Sequence, residues 1–269
     1  MRPLSTLLVL ALGCALAGAI GCSSDDPDGE GGSGGTGAGT GTGTTPEPAC
    51  TGPAEVPCSD QVIQEMNLQT DIAPGLLTTE PDGQGFRSFI DATAGGAFAA
   101  DPDSYVYGRF TDAGLEKVEI SDEASLDSMD WDIAFRRYVV RINSGYSGPS
   151  CVGAVRIPGD PLFEDVAAPP TEVSFRKDDY FTDSCDIIPD GSGLENSPAT
   201  ALSGYWTYPG CVSMSNYVYA MQLASGRTLK LQVELYYSAD VQEQCDSTGM
   251  VPMSGSNAAN FQIRWAFFQ

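Results

Sequence analysis

Thr228-Leu-Lys-Leu-Gln-Val-Glu-Leu-Tyr-Tyr237 alternates strictly: Leu229, Leu231, Val233, Leu235 and Tyr237 fall on one side of an extended chain, Lys230, Gln232 and Glu234 on the other. Successive side chains of a strand point to opposite faces, so this run is a strand with one dry face and one wet face. Upstream, Tyr217, Tyr219, Met221 and Leu223 keep the same period. Ala224-Ser-Gly-Arg227 joins the two runs, and Gly226 supplies the positive φ that a tight hairpin requires. The closing run Phe261, Ile263, Trp265 and Phe267 alternates likewise. Further strands are expected over 104–110, 115–120, 131–143 and 171–177. In the third, Trp131, Ile133, Phe135 and Val139 share one face and Ala134, Tyr138, Val140 and Ile142 the other, the pattern of a central strand covered on both sides. The clearest helix signal is Ser59 as a cap for a short segment through Met66. Residues 144–170 and 178–216 read as long loops, and loops of that length are usually functional. The expected fold class is all-β, a mainly antiparallel sheet with long loops and few helices.

Charge and composition narrow the function. The 269 residues carry 36 Asp plus Glu against 13 Lys plus Arg, a formal net charge of −23. Nucleic-acid affinity comes mainly from cations that displace phosphate counterions, so a nucleic-acid partner is excluded. There is no histidine. Ser-His-Asp and Cys-His nucleophiles, and the usual catalytic zinc sites, are therefore absent. The chain shows neither a P-loop nor a dinucleotide-binding glycine fingerprint. What remains for an enzyme is carboxylate work (a pair acting on glycosides, for instance), a Ser-Lys pair or a bound cofactor. Binding without catalysis is the expected role.

The organisation along the chain points to export. Residues 1–21 have one early cation, Arg2, and an apolar run from Leu7 to Ile20 too short to span a bilayer permanently, as in a secretory signal. Ala19-Ile-Gly-Cys22 resembles a bacterial lipobox, which makes Cys22 the expected lipidation site and the membrane the expected first partner. Ser23-Ser24 resembles an outer-membrane sorting context. Residues 22–49 are rich in Gly and Thr and too poor in apolar residues to offset ordering entropy. They read as a flexible tether reaching about 25 to 30 Å. Residues 50–269 hold twelve basic and 31 acidic side chains and enough apolar surface for one β domain. Six of its residues are cysteines, an even number in an exported chain and hence a disulfide set. Cys50 and Cys58, with seven residues between them, are the expected local bridge.

Several segments, taken in order, resemble one known family. Ile90-Asp-Ala-Thr-Ala-Gly-Gly96, Tyr105-Val-Tyr-Gly-Arg-Phe110, Trp131-Asp-Ile-Ala-Phe-Arg-Arg137 and Ile142-Asn-Ser-Gly-Tyr-Ser-Gly148 are similar to HmuY-type bacterial surface lipoproteins. Tyr205-Trp-Thr-Tyr208, Gly226 to Val233 and Phe261 to Trp265 are similar to the family's closing strands, so the likeness spans about 85–269. The resemblance implies an all-β fold, outer-membrane or cell-surface anchoring, and capture of haem or a related tetrapyrrole from haemoproteins. The founding type holds iron through two histidines, which this chain lacks. A methionine thioether is a soft donor used at haem iron, which makes the loop methionines Met214, Met250 and Met253 the candidate cofactor-binding residues. Met221, on the apolar side of its strand, reads as core. Arg136, Arg137 and Arg141 could meet a propionate, but with 31 acids in the domain internal ion pairs are favoured.

Replacing Cys22 with Ser removes the expected acylation site. Fractionation should then show the protein leaving the membrane pellet, and retention there by the variant, with no palmitate label on the native chain, would refute the anchor.

Overall fold

The computed structural model describes residues 49–93, 104–194, 197–252 and 255–269, all within the unit Thr45–Gln269. Twelve strands and three helices appear there. The strands are β1 (Leu77–Asp82), β2 (Gly85–Asp91), β3 (Val106–Thr111), β4 (Gly114–Val118), β5 (Ile133–Arg136), β6 (Val139–Ile142), β7 (Gly153–Arg156), β8 (Trp206–Thr207), β9 (Ser213–Met214), β10 (Val218–Gln222), β11 (Thr228–Leu235) and β12 (Asn260–Phe267). The helices are α1 (Ser59–Glu65), α2 (Asp122–Ser125) and α3 (Ala239–Thr248). Six strands pair in the order β1-β2-β12-β11-β10-β7, four in the order β4-β3-β5-β6, and β8 with β9 as a short ribbon. Every pairing is antiparallel. The protein is thus all-β with few helices, as the alternation requires. No described helix is long and apolar enough to cross a membrane.

The alternating residues do what their period dictates. Leu229, Leu231 and Val233 of β11, Phe261, Ile263 and Trp265 of β12, and Tyr219 and Met221 of β10 enter one core with Ile133, Phe135, Val140 and Ile142 of the four-stranded sheet. Gly226 takes φ +81° in the hairpin between β10 and β11. Trp265 joins the two sheets: it stacks on Phe86 at 4.6 Å and meets Phe110 edge-on at 4.8 Å. Such aromatic pairs contribute about 1 kcal/mol each beyond their buried area. The other face of the four-stranded sheet is dry as well. Tyr105, Tyr107, Trp131 and Ala134 pack there against Val62 and Met66, from α1 and its end, and against Tyr180 and Phe181. This second core is why residues 131–142 are apolar on both sides.

Four local expectations differ from the structure. Residues 131–143 are not one strand but the β5–β6 hairpin, with Arg136 opposite Val139 and Arg137 at φ +51° in the turn. No Gly, Asn or Asp marks that turn, and the apolar period runs through it. Residues 171–177 form only an isolated bridge, Arg176 to Ala154, on the outer edge of β7. The loops expected over 144–170 and 178–216 contain β7 and the β8–β9 ribbon. Cys58, in a left-handed conformation, precedes α1, so Ser59 is the first helical residue and not the cap. The hairpin β1–β2 and helix α3 were not foreseen, although Asp82-Gly83 and Gly249 (φ +70°) are the usual turn and helix-end signals.

The cysteine pairing overturns the expected Cys50–Cys58 bridge. Cys50 bonds Cys151, Cys58 bonds Cys185, and Cys211 bonds Cys245. The segment between Cys50 and Cys58 runs across the domain: Ala49 N–H donates to Ala224 O, and Ala54 N–H donates to Pro149 O at 2.7 Å. That path draws the two cysteines to different places. Each then closes a long loop, with sequence separations of 101 and 127 residues.

Three buried aspartates hold segments that lack a strand neighbour. Asp178 accepts from Ile142 N, Ala201 N and Ser147 Oγ; Asp122 accepts from Tyr105 N and Gln69 N; Asp132 accepts from Phe110 N. Arg136 reaches Asp122 at 3.6 Å, an internal ion pair. Fully buried Arg141 donates to Ser147 O and Oγ and lies 4.8 Å over the Tyr105 ring. Burial pushes the Asp132 and Asp178 carboxyls up to about 6 from an ordinary 3.8, the hydrogen bonds opposing it.

Two outcomes follow. A folded-state pKa above the unfolded one means stability that is fully present below about pH 4 and lost as the pH rises to about 6, on the order of 2 to 3 kcal/mol per carboxylate. Thermal midpoints should therefore fall between pH 4.5 and 6.5, roughly, and Asp132→Asn, which keeps an acceptor for Phe110 N–H, should flatten that slope; an identical slope in the variant would disprove the assignment. Separately, replacing Cys211 and Cys245 together by Ser should cost about 3 to 4 kcal/mol in denaturant unfolding, the loop-closure value for their separation.

Candidate functional site

β11 leaves its sheet at a corner where helix, ribbon and aromatic residues meet. The pairing of β11 with β12 shifts register between Val233 and Leu235, and the chain turns inward through Tyr236 and Tyr237, whose buried rings meet edge-on at 4.8 Å. Neither Tyr236 nor Tyr237 has a ladder partner for its amide, and Gln242 of α3 substitutes: its Oε1 accepts from Tyr236 N at 2.9 Å and Tyr237 N at 3.3 Å. The amide nitrogen of Gln242 donates to Val212 O and to Asp246 Oδ1 at 3.0 Å each. Asp246 Oδ1 in turn accepts from Met214 N and Ser213 Oγ, both at 2.9 Å. The Tyr237 hydroxyl accepts from Val212 N at 3.0 Å. With the Cys211–Cys245 bridge, these bonds fasten the β8–β9 ribbon to α3.

Aromatic side chains line the same corner. Trp206 of β8, opposite Met214 in the ribbon, lies 5.3 Å from the Tyr138 ring and 6.3 Å from that of Tyr208. Tyr138 belongs to the β5–β6 turn, and its carbonyl accepts from the Tyr205 hydroxyl at 2.7 Å. Burial raises the Tyr236 phenol far above its ordinary range, with the Arg137 charge opposing the rise. Burial also raises Tyr237. Trp206, Tyr205, Tyr236 and Tyr237 are buried, so Tyr208, at 41% exposure, and the half-buried Tyr138 are the rings that a planar apolar molecule could meet directly.

The candidate methionines fall unevenly within this frame. Met214 is not in a loop but in β9, 7% exposed, with its side chain in the main core. Met250 is 63% exposed and follows Gly249, the left-handed end of α3. The two belong to one corner. Met214 N–H is bonded to Asp246, four residues before Met250, and a Cβ on Gly210 would come within 2.5 Å of Gly249 O. Met253 and Cys22 lie outside the described residues. Met221 is fully buried in the main core, as its strand position requires. Tyr236 and all of α3 escaped the sequence reading, and Tyr138 and Tyr237 figure in it only as strand residues. The density of aromatics in 205–208 and a four-residue spacing of Val241 and Cys245 between Ser238 and Gly249 were the available signals. No group of three or more His, Cys, Asp or Glu able to hold a metal ion occurs among the described residues.

Comparison with known proteins places the chain. No curated protein matches it. A HmuY-like protein of Bacteroides vulgatus ATCC 8482 is similar in structure, at 18% identity, covering 71% of this chain and 96% of that one, with a TM-score of 0.44. The apo HmuY analog of Tannerella forsythia is similar at 12% identity, covering 74% and 99%, with a TM-score of 0.38. The sequence model of the HmuY protein family matches residues 101–248, from the edge of β3 to the end of α3, and so takes in the four-stranded sheet, the ribbon and most of the aromatic corner. On that match, which covers more than half of the chain, this protein belongs to the HmuY family.

Proposed function

We propose that this protein is a lipid-anchored binding protein of the outer membrane or cell surface that captures haem or a related tetrapyrrole at the aromatic corner, and that its role is binding without catalysis. The observation that carries the reading is the family match over residues 101–248, joined by an exposed thioether, Met250 at 63%, which follows α3 where Gly249 lies against Gly210 of the ribbon turn. A thioether is a donor that haem iron accepts without imidazole. Bound haem would supply the iron. The protein would supply the rest: Met250, with Met214 or Met253, would hold the iron, and Tyr208, the exposed ring of the corner, would meet the macrocycle.

One observation favours a second reading. Met214 points into the core, so ligation through it would require the β9 ribbon to turn its side chain outward. If it does not turn and Met253 does not serve in its place, the chain is a surface interaction module that keeps the family's fold and lacks its iron site.

Absorbance titration of the purified protein with haemin decides between them. The expected outcome is a Soret shift and, on reduction, a low-spin spectrum, with Met250→Ala losing the low-spin form. No shift at about 10 μM haemin in either oxidation state, a concentration that would fill a site of micromolar affinity, would reject haem capture and leave the interaction module.

A further inference from the structure

Among the described residues, positive charge is almost fully committed. Of the twelve Arg and Lys in residues 50–269, seven pair with a carboxylate within 4.0 Å. Lys230 donates to two backbone carbonyls, Arg141 is buried against Ser147, and Arg137 has interactions of its own. Two consecutive residues stand apart. Arg176 and Lys177 are exposed, and neither forms an ion pair or a side-chain hydrogen bond among the described residues. In a domain with 31 acids, two adjacent cations without a carboxylate partner are an anomaly that calls for an anion.

They line a cleft of about 500 Å³, together with Tyr146, Phe175, Gly145 and Asp179 among others. Its walls are fixed by backbone contacts. Tyr146 N–H donates to Asp178 O at 2.9 Å, and Gly145, at φ +60°, approaches that carbonyl so closely that a Cβ would lie 2.1 Å from it. Arg176 exchanges both backbone hydrogen bonds with Ala154 at 2.9 Å, and Phe175 rests on Gly153, where a Cβ would meet its own at 2.7 Å. The Tyr146 ring is braced by Tyr180 at 5.8 Å and Phe181 at 5.3 Å. The carboxylate of Asp178 faces inward, occupied by Ile142 N, Ala201 N and Ser147 Oγ. Asp179 remains as the opposing charge at the rim.

We propose that this cleft binds a small, flat organic anion, its ring against Tyr146 and Phe175 and its acid group held by Arg176 and Lys177. A planar guanidinium offers a fork of donors to an oxyanion, and the adjacent ammonium adds charge. The volume is that of a small-molecule site with aromatic walls and few polar groups. The cleft shares no residue with the aromatic corner and contains no methionine, so it stands whether or not haem is bound.

Calorimetric titration of the full-length protein with naphthalene-2-sulfonate at neutral pH tests it, with 2-naphthol as the uncharged counterpart. The sulfonate should bind and 2-naphthol should bind at least about tenfold more weakly, the difference that one charge-assisted contact supplies. Arg176→Gln with Lys177→Gln should weaken the sulfonate by about tenfold or more, and because both side chains are exposed and the bridge to Ala154 is made by backbone, the fold is retained. Asp179→Asn should strengthen it. No sulfonate binding, equal affinity for the two probes, or a double variant that binds as well as the native protein would each overturn the proposal.

Discussion

A buried backbone N–H must find an acceptor, and in this protein side chains meet that requirement wherever strands do not. The sheets are small for the length of chain they organise: β8 and β9 have two residues each, and long stretches between β7 and β10 have no ladder. An unpaired buried amide costs as much as a lost hydrogen bond, so such stretches could not be packed inward unaided. Asp122, Asp132, Asp178 and Asp246 supply the missing acceptors to main-chain N–H groups of distant segments, and Asn143 and Gln242 do so for nearby turns. The cost is the burial of carboxylates, which raises the affinity of Asp132 and Asp178 for protons and makes mild acidity stabilising.

The disulfides answer the same problem at longer range. Cys50–Cys151 and Cys58–Cys185 tie the segment ahead of β1 to the middle of the chain across separations of 101 and 127 residues, where closure entropy is largest. Cys211–Cys245 acts with Gln242 and Asp246 to fix α3 on the β8–β9 ribbon. These covalent and polar ties add to the apolar contacts that the ribbon and α3 make in the main core through Trp206, Val212, Met214 and Val241.

The same construction shapes function. A corner assembled from a hairpin turn, a two-strand ribbon and one short helix brings Tyr138 beside Trp206 and Tyr208 from a separate part of the chain. Family membership directs attention to haem, and the absence of histidine changes the iron chemistry available to thioether or phenolate donors. The cleft beside Arg176 and Lys177 is held by the opposite device, close backbone approaches at Gly145 and Gly153, and is correspondingly preorganised.

Much of the fold was legible because strand periodicity is a local property. Residues 218–235 and 260–267 show which side chains face inward without reference to any neighbour, and net charge with no histidine excluded whole classes of chemistry. The family likeness was likewise legible in short ordered motifs such as Trp131-Asp-Ile-Ala-Phe135. What the tertiary structure alone decided is whatever depends on which remote segments meet. The hairpin at Arg137 interrupts an apolar pattern that a single covered strand would share, because the second core under Tyr105 and Trp131 makes both faces dry. Met214 is core and Met250 is exposed, although both stand among small polar residues in sequence, because only one of them pairs with Trp206 beneath α3. Cys50 and Cys58 part company for the same reason: proximity along a chain sets the entropy of closing a loop, but the hydrogen bonds of Ala49 and Ala54 to distant carbonyls set the path, and the path decides which sulfurs come within bonding distance.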